Sequence, residues 1–477
     1  MLVKRGWSRR LGDRVVRHAR QEELTPLHIP IPPLRQPGAR FETPLILLFG
    51  VGSLIAIGTF LLWLPWFNTT GEFAPFLTAL FTATSAATDT GLTVVDTTTF
   101  WNPAGRGIIM ALILVGGAAV MSATTYLLVT FVQRVSLTNQ IIMQEFTGVS
   151  QMGGLVRLAV QVTSVALILQ FIGFLLLLWR FLSIFDIGQA AWLALFHSIS
   201  AFNNAGFAIM PESDSLIRYQ REPWVLGILA LLIILGGISY SVMVDVVRYR
   251  RFKRFTLDTR LVLVVTGVLL AVGSLVMFLS EFNNEATLGT LPMADRAVNS
   301  LFMSASNRTA GFATIDYALT EIHTNLFVTS LMFVGGASGS MTGGIKVNTL
   351  AVLLVAVITS IRGGSQATAF GREIAHDQIQ RALAVAFLSI TFVSSVAFLL
   401  VMTEKLPFDR LLFETFSAFG TVGLTAGVTG MLSSWGQTVI ALTMFVGDIG
   451  PLTFALALAQ RQQHAIFRYS QERVRIG

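Results

Sequence analysis

Four stretches of this sequence share a glycine followed by leucine or phenylalanine: Thr88-Asp89-Thr90-Gly91-Leu92, Asn203-Asn204-Ala205-Gly206-Phe207, Arg308-Thr309-Ala310-Gly311-Phe312 and Gly420-Thr421-Val422-Gly423-Leu424. Small residues stand five and six places before each glycine, and an apolar residue stands ten before it, namely Phe81, Phe196, Leu301 and Phe413. The chemistry such a turn offers is that of its backbone carbonyls. A ring of them replaces the water around a dehydrated K+ without fixed charges that would hold the ion too tightly. Turning successive carbonyls toward one axis demands backbone angles that glycine reaches at little steric cost. Thr90, Gly91, Ala205, Gly206, Ala310, Gly311, Val422 and Gly423, with Asn204, Thr309 and Thr421, are the candidate filter residues, and K+ at their carbonyls is the candidate ligand. One such turn reads equally well as a helix C-cap; four at matching places argue for a shared centre.

A second cluster is Gly335-Gly336-Ala337-Ser338-Gly339-Ser340-Met341-Thr342-Gly343-Gly344, followed by Ile345-Lys346, inside an otherwise apolar stretch. Five glycines in ten residues oppose a helix by roughly 1 kcal/mol each relative to alanine. Unwound backbone at membrane depth is tolerated only where it is buried in protein or lines a wet cavity. A loop beneath the filter that blocks or clears the path meets both conditions; close helix packing through small residues is the alternative.

The elements that position these turns follow from hydropathy. The 477 residues are 53% hydrophobic and 12% charged, with mean hydropathy +0.69 and no cysteine, which points to a polytopic membrane protein and excludes disulfides and thiolate chemistry. Eight segments have the roughly 20 apolar residues of a bilayer span: about 44–65, 107–132, 155–182, 223–247, 260–280, 325–361, 380–403 and 434–460. Between them lie 73–88, 189–203, 293–307 and 408–420, too short to span and suited to re-entrant helices. The predicted fold is all-α: eight transmembrane helices and four re-entrant pore helices, as four span–pore–span (M1-P-M2) repeats in pseudo-fourfold arrangement around one pore. The expected organisation is a basic cytosolic segment 1–43, repeats at 44–148, 149–258, 259–375 and 376–461, with the gating loop 335–344 in the third, and a cytosolic tail 462–477.

The net charge of +7 is concentrated in short segments beside the spans: the N-terminal tail, Arg248 to Arg260, and Arg461 to Arg475. These segments are expected in the cytosol, with both termini, and this pattern is a topology signal rather than a nucleic-acid surface. Glu72, Asp96, Glu212, Asp214, Glu285 and Asp316 mark the outward loops.

On these four turns and the glycine-rich loop, the sequence resembles the Trk/Ktr/HKT superfamily of K+ transporters, most closely its Ktr membrane-subunit branch, over about residues 44–461. The resemblance implies that Gly91, Gly206, Gly311 and Gly423 are the filter glycines of a K+-selective member. It implies that Gly335, Gly336, Gly339, Gly343, Gly344 and Lys346 belong to the intramembrane gate. Asp448 stands where the family usually has arginine, which puts the electrostatics of the gate in doubt; pairing with Lys346 is one reading. The family further implies uptake through a bacterial inner (plasma) membrane, a homodimer, and a cytosolic ring of RCK subunits of the KtrA type. That ring would bind ATP or ADP and NAD, and Na+ is an expected activator. No cofactor or enzymatic activity is expected in the chain itself. A Trk-like K+/H+ or K+/Na+ symporter is the alternative, and a membrane enzyme is disfavoured for want of a catalytic constellation.

Other polar residues have structural readings. His197 is expected to cap or pack, Arg308 to brace the filter by pairing with Asp316 or Glu414, and Asp245 and Asp258 to form local ion pairs. Trp63, Trp66, Trp101, Trp192 and Trp224 are expected as interfacial anchors.

Overall fold

A computed structural model describes residues 42–132, 153–211 and 215–450, with side chains described for 48–118, 160–211 and 215–450. The expected basic tail, the cytosolic C-terminus, the end of the last span beyond Gly450, Gln144, Glu145, Glu212 and Asp214 lie outside the described residues.

Helices occupy every expected position. They are α1 (Glu42–Trp63), α2 (Phe76–Ala87), α3 (Pro103–Val132), α4 (Gly153–Phe181), α5 (Ile187–Phe202), α6 (Pro223–Gly237), α7 (Tyr240–Tyr249), α8 (Leu257–Ser280), α9 (Met293–Thr309), α10 (Ile322–Met332), α11 (Val347–Ile361), α12 (His376–Thr403), α13 (Phe408–Gly420) and α14 (Ser434–Ile449). Among the described residues, α4 from Val160, α8 and α12 are each long and apolar enough to cross a membrane, and α6 with α7 makes a fourth, broken span. Their exposed faces are apolar: Phe171, Leu175 and Trp179 on α4, Val268 and Leu275 on α8, Phe387 and Phe398 on α12. In water such a surface would be a liability; against acyl chains it has no cost.

Two local features depart from the sequence expectation. The expected span 223–247 is not straight: α6 and α7 meet at a 100° bend after Gly236-Gly237. The all-α expectation also misses a hairpin between α11 and α12, in which Thr368–Ala369 pairs antiparallel with Arg372–Glu373. Its turn is Phe370-Gly371, with φ of 51° and 76°, the left-handed pair of a two-residue hairpin.

The short helices α2, α5, α9 and α13 form the interior. Three of them begin directly after a proline, Pro75, Pro292 and Pro407, whose fixed φ suits a helix start. Their C-terminal halves are buried and built from Ala, Ser, Thr and Phe, small residues that admit close approach by neighbouring helices. Each packs on the helices before and after it in sequence. The helix that follows one short helix also packs on the next: α3 on α5, α6 on α9, α10 on α13 and, closing the circle, α14 on α2.

Of the predicted tryptophan anchors, Trp66 is 72% exposed whereas Trp101 is fully buried. Trp101 packs edge-on against Phe100 beneath the outer loop, so it is a core residue rather than an interfacial one.

Candidate functional site

The four short helices end just before the four glycines, and the chain then turns sharply. Gly91, Gly206, Gly311 and Gly423 take φ of 89°, 71°, 73° and 92°, a region L-residues with side chains rarely enter. The residue two places earlier is also left-handed in three of the turns: Asp89 (φ 49°), Asn204 (φ 59°) and Thr421 (φ 48°). In the third turn α9 instead runs on to Thr309, which removes that residue and shifts the pattern by one place. This explains why Leu301, the apolar residue ten places before Gly311, is 53% exposed while its neighbour Phe302 is buried with Phe81, Phe196 and Phe413.

The four turns meet. A β-carbon on Gly91 would strike the carbonyl of Ala205, one on Gly206 that of Ala310, one on Gly311 that of Val422, and one on Gly423 that of Thr90, all inside the 3.0 Å that real β-carbons respect. Each glycine lies likewise against the Cα of the next, so Thr90, Ala205, Ala310 and Val422 carry the carbonyls of a single closed ring. The helix C-termini direct their partial negative ends toward it. Against the ring lies a cavity of about 350 Å³, walled by the residues that follow the glycines and edged by Asp96 and Asp316.

Side chains of the short helices hold the turns from behind. The Ser200 hydroxyl donates to the Phe207 carbonyl at 2.8 Å, Ser306 donates to Phe312 at 2.7 Å, and Ser417 accepts from the Gly423 amide at 3.1 Å. Thr309 donates to Asn204 Oδ1 at 2.8 Å, linking two adjacent turns. His197 meets the Leu193 carbonyl through Nδ1 at 2.8 Å and accepts from the Ile209 amide at 3.3 Å, the structural role expected of it. Tyr317 donates to Asn307, and Glu414 accepts from Thr425 and from Thr429. Arg308 does not follow expectation: it is 2% exposed, its Nε and Nη1 have no partner, and among the described residues no carboxylate pairs with it. Glu414 is already satisfied by threonines, and Asp316 caps the Ala318 amide at 2.8 Å.

The glycine-rich segment separates α10 from α11 as a loop, as predicted. It closes on itself where the Gly335 amide donates to the Ile345 carbonyl at 2.8 Å, and it hangs from three places around the ring. The Gly343 amide donates to Thr421 Oγ1 at 2.8 Å, directly under the fourth turn. The Gly344 amide reaches the Gly447 carbonyl at 3.2 Å, and the Ala337 amide reaches the Gly237 carbonyl at 2.9 Å, at the bend between α6 and α7. Gly339 (φ 84°) and Gly344 (φ 66°) make the reversals. Lys346 donates to the Thr342 carbonyl, so its ammonium is held by the loop rather than by an acid.

Asp448 is 7% exposed and its Oδ2 has no partner. It makes no ion pair with Lys346, although the two charges act on each other through space. Its place is explained by a pattern the sequence reading passed over: Gly116-Gly117, Gly236-Gly237 and Gly447-Asp448 are equivalent pairs. The first glycine of each has no room for a β-carbon, because it lies on the carbonyl of Ala87, Phe202 or Phe419, four residues before a ring glycine. Asp448 therefore replaces the second glycine of a pair. Asp245 and Asp258, expected in ion pairs, instead accept hydrogen bonds. Asp245 takes those of the Thr256 amide (2.9 Å) and hydroxyl (3.0 Å), and Asp258 takes that of Asn348.

Comparison with known proteins places the chain in a family. The family model described as "TrkH: Cation transport protein" matches residues 51–469. The chain is 39% identical to the Ktr system potassium uptake protein B of Bacillus subtilis over 438 residues, covering 92% of this chain and 97% of that protein. It is 36% identical to the potassium/sodium uptake protein NtpJ of Enterococcus hirae, covering 90% and 96% respectively. Among solved structures, the potassium transporter TrkH of Vibrio parahaemolyticus aligns with a TM-score of 0.69 over 89% of this chain and 86% of that one, at 16% identity. That likeness bears on fold.

Proposed function

The chain belongs to the TrkH family of cation transport proteins, and from that premise we propose that it is the K+-translocating subunit of a Ktr-type uptake system. In this reading the ring formed by Gly91, Gly206, Gly311 and Gly423, with the carbonyls of Thr90, Ala205, Ala310 and Val422, is the selectivity filter. Ions pass it in a channel-like manner. The segment 335–344 is the gate, latched by Thr421 and weighted by Lys346 and Asp448. The chain is a multi-pass protein of the inner (plasma) membrane with eight spans, four re-entrant helices and cytosolic termini. It works as a homodimer on an RCK-type ring that binds adenine nucleotides, with Na+ as activator.

The observation that carries this reading is the closed circle in which each left-handed glycine abuts the carbonyl of the next. One observation favours the symporter instead: Asp89, on a ring turn, and Asp448, on the helix packed against the fourth turn, are buried carboxylates, the kind of groups that relay protons in coupled carriers. Flux of ⁸⁶Rb+ into proteoliposomes tests both. Channel-like uptake runs without a pH gradient and is competed by K+ far better than by Na+, and Gly91→Ser lowers that preference about tenfold, roughly 1.4 kcal/mol. Uptake that stops when the proton gradient is collapsed would establish the symporter, and absence of any Rb+ flux would end the transport reading.

A further inference from the structure

Most buried polar atoms of the described residues have partners, but Asp89 Oδ1, Asn203 Oδ1 and Asp448 Oδ2 have none. All three residues are more than nine-tenths buried, with Asp89 only 4% exposed. Asn203 is turned by its own amide, which donates to the Ile199 carbonyl at 2.9 Å and leaves Oδ1 facing away. The place it faces is the missing side chain of Gly117: Asn203 Oδ1, Asp89 Oδ2 and the sulfur of Met341 all lie within 2.9 Å of where that β-carbon would stand. Asp89 and Asn203 come from neighbouring turns, and Met341 is the tip of the gate loop. Asp448, at the position on α14 equivalent to Gly117, is likewise buried and likewise carries an unpartnered oxygen.

An unpaired carboxylate in a low-dielectric interior costs several kcal/mol, and two in range of one another cost more unless a cation joins them. Lys346 does not, because its ammonium is bound to the loop carbonyl of Thr342. The charged and amide donors are hard oxygens, which suit a hard cation. Among the described residues no cluster of three acidic, histidine or cysteine groups exists to hold a resident metal. When both carboxylates are ionised, Lys346 balances one of them and a monovalent cation the other; otherwise a proton does so.

Resting on the transport reading above, we propose that Asp89, Asn203 and Asp448 form a second station for the permeating monovalent cation, between the carbonyl ring and the gate loop, with Met341 as its lid. The carboxylates take over from the filter carbonyls as the ion leaves the ring. Opening the loop then removes the lid and frees the ion to the cytosolic side.

Equilibrium ⁸⁶Rb+ binding to the purified full-length protein in lipid nanodiscs tests this, with wild type beside Asp89→Asn, Asp448→Asn, the double variant and Gly91→Ser. Asparagine keeps size and hydrogen bonding, so folding is retained, and the thermal unfolding midpoint checks it. The double variant is expected to lose one bound Rb+ per chain while still holding filter ions that K+ displaces. Gly91→Ser is expected to weaken the filter ions and leave the station's Rb+ in place. Unchanged stoichiometry in the double variant overturns the station. So does Mg2+ displacing that Rb+ at submillimolar concentration, which would make the site divalent. A wild type that binds no Rb+ at all overturns the transport reading along with it.

Discussion

At the scale of single residues, Thr421 links the ring to the gate. It is a β-branched residue held at φ 48°, a strained conformation that persists only when its surroundings enforce it. Its hydroxyl accepts the Gly343 amide. Thr421→Val keeps the branched shape and removes that latch, worth about 1 kcal/mol or roughly a fivefold shift toward the released loop. Basal ⁸⁶Rb+ flux should rise accordingly; a fall would mean that the hydroxyl serves the filter rather than the gate. Asp448 can be argued on the same scale. A carboxylate beside the cation path attracts ions and an arginine repels them, so Asp448→Arg should lower K+ flux roughly tenfold or more, by about 1.4 kcal/mol per tenfold. Increased flux in that variant would reverse this electrostatic assignment.

At the scale of elements, the loop 335–344 is tied to the elbow between α7 and α8. The Ser338 amide donates to Asn348 Oδ1 at 2.8 Å, the Asn348 amide donates to Asp258 at the start of α8, and Asp245 of α7 caps the same helix through Thr256. Val242 of α7 packs against Ala337 of the loop. Asn348→Ala cuts the chain at its middle and should speed amide hydrogen exchange of the loop roughly fivefold, the worth of about 1 kcal/mol. Exchange that does not change would show that the loop is held elsewhere. The contact of α6 with the second turn is tighter. A β-carbon on Gly236 would meet the Phe202 carbonyl inside any real contact distance, so Gly236→Ala should destabilise by about 1–3 kcal/mol, read as a lower thermal midpoint in detergent.

At the scale of the whole molecule, the arrangement is circular: four short helices, four turns, and four following helices each reaching forward onto the next short helix. Rigidity at the centre follows, because moving one turn moves the oxygen that packs on its neighbour. The departures from fourfold equivalence are where the molecule differs from a simple ring. The third turn is one residue tighter, the helix after it is interrupted by the loop, and the fourth carries Asp448 in place of a glycine.

Much of this was legible in the chain alone. Turns with φ of 71–92° and a backbone oxygen where a β-carbon would stand favour glycine, so the four ring positions could be read from residue type and spacing, and span length fixes where apolar helices lie. Three results came only with the tertiary structure. The bend after Gly237 could not be foreseen, because a glycine pair is tolerated within a membrane helix and only docking of the loop on the freed Gly236 and Gly237 carbonyls favours the break. The solitude of Arg308 was equally hidden, since its expected partners found nearer hydroxyls and amides. Asp89 drew no notice as one polar residue in a turn; its meeting with Asn203 and Met341 beside Gly117 depends on distances between separate elements, which no local pattern encodes.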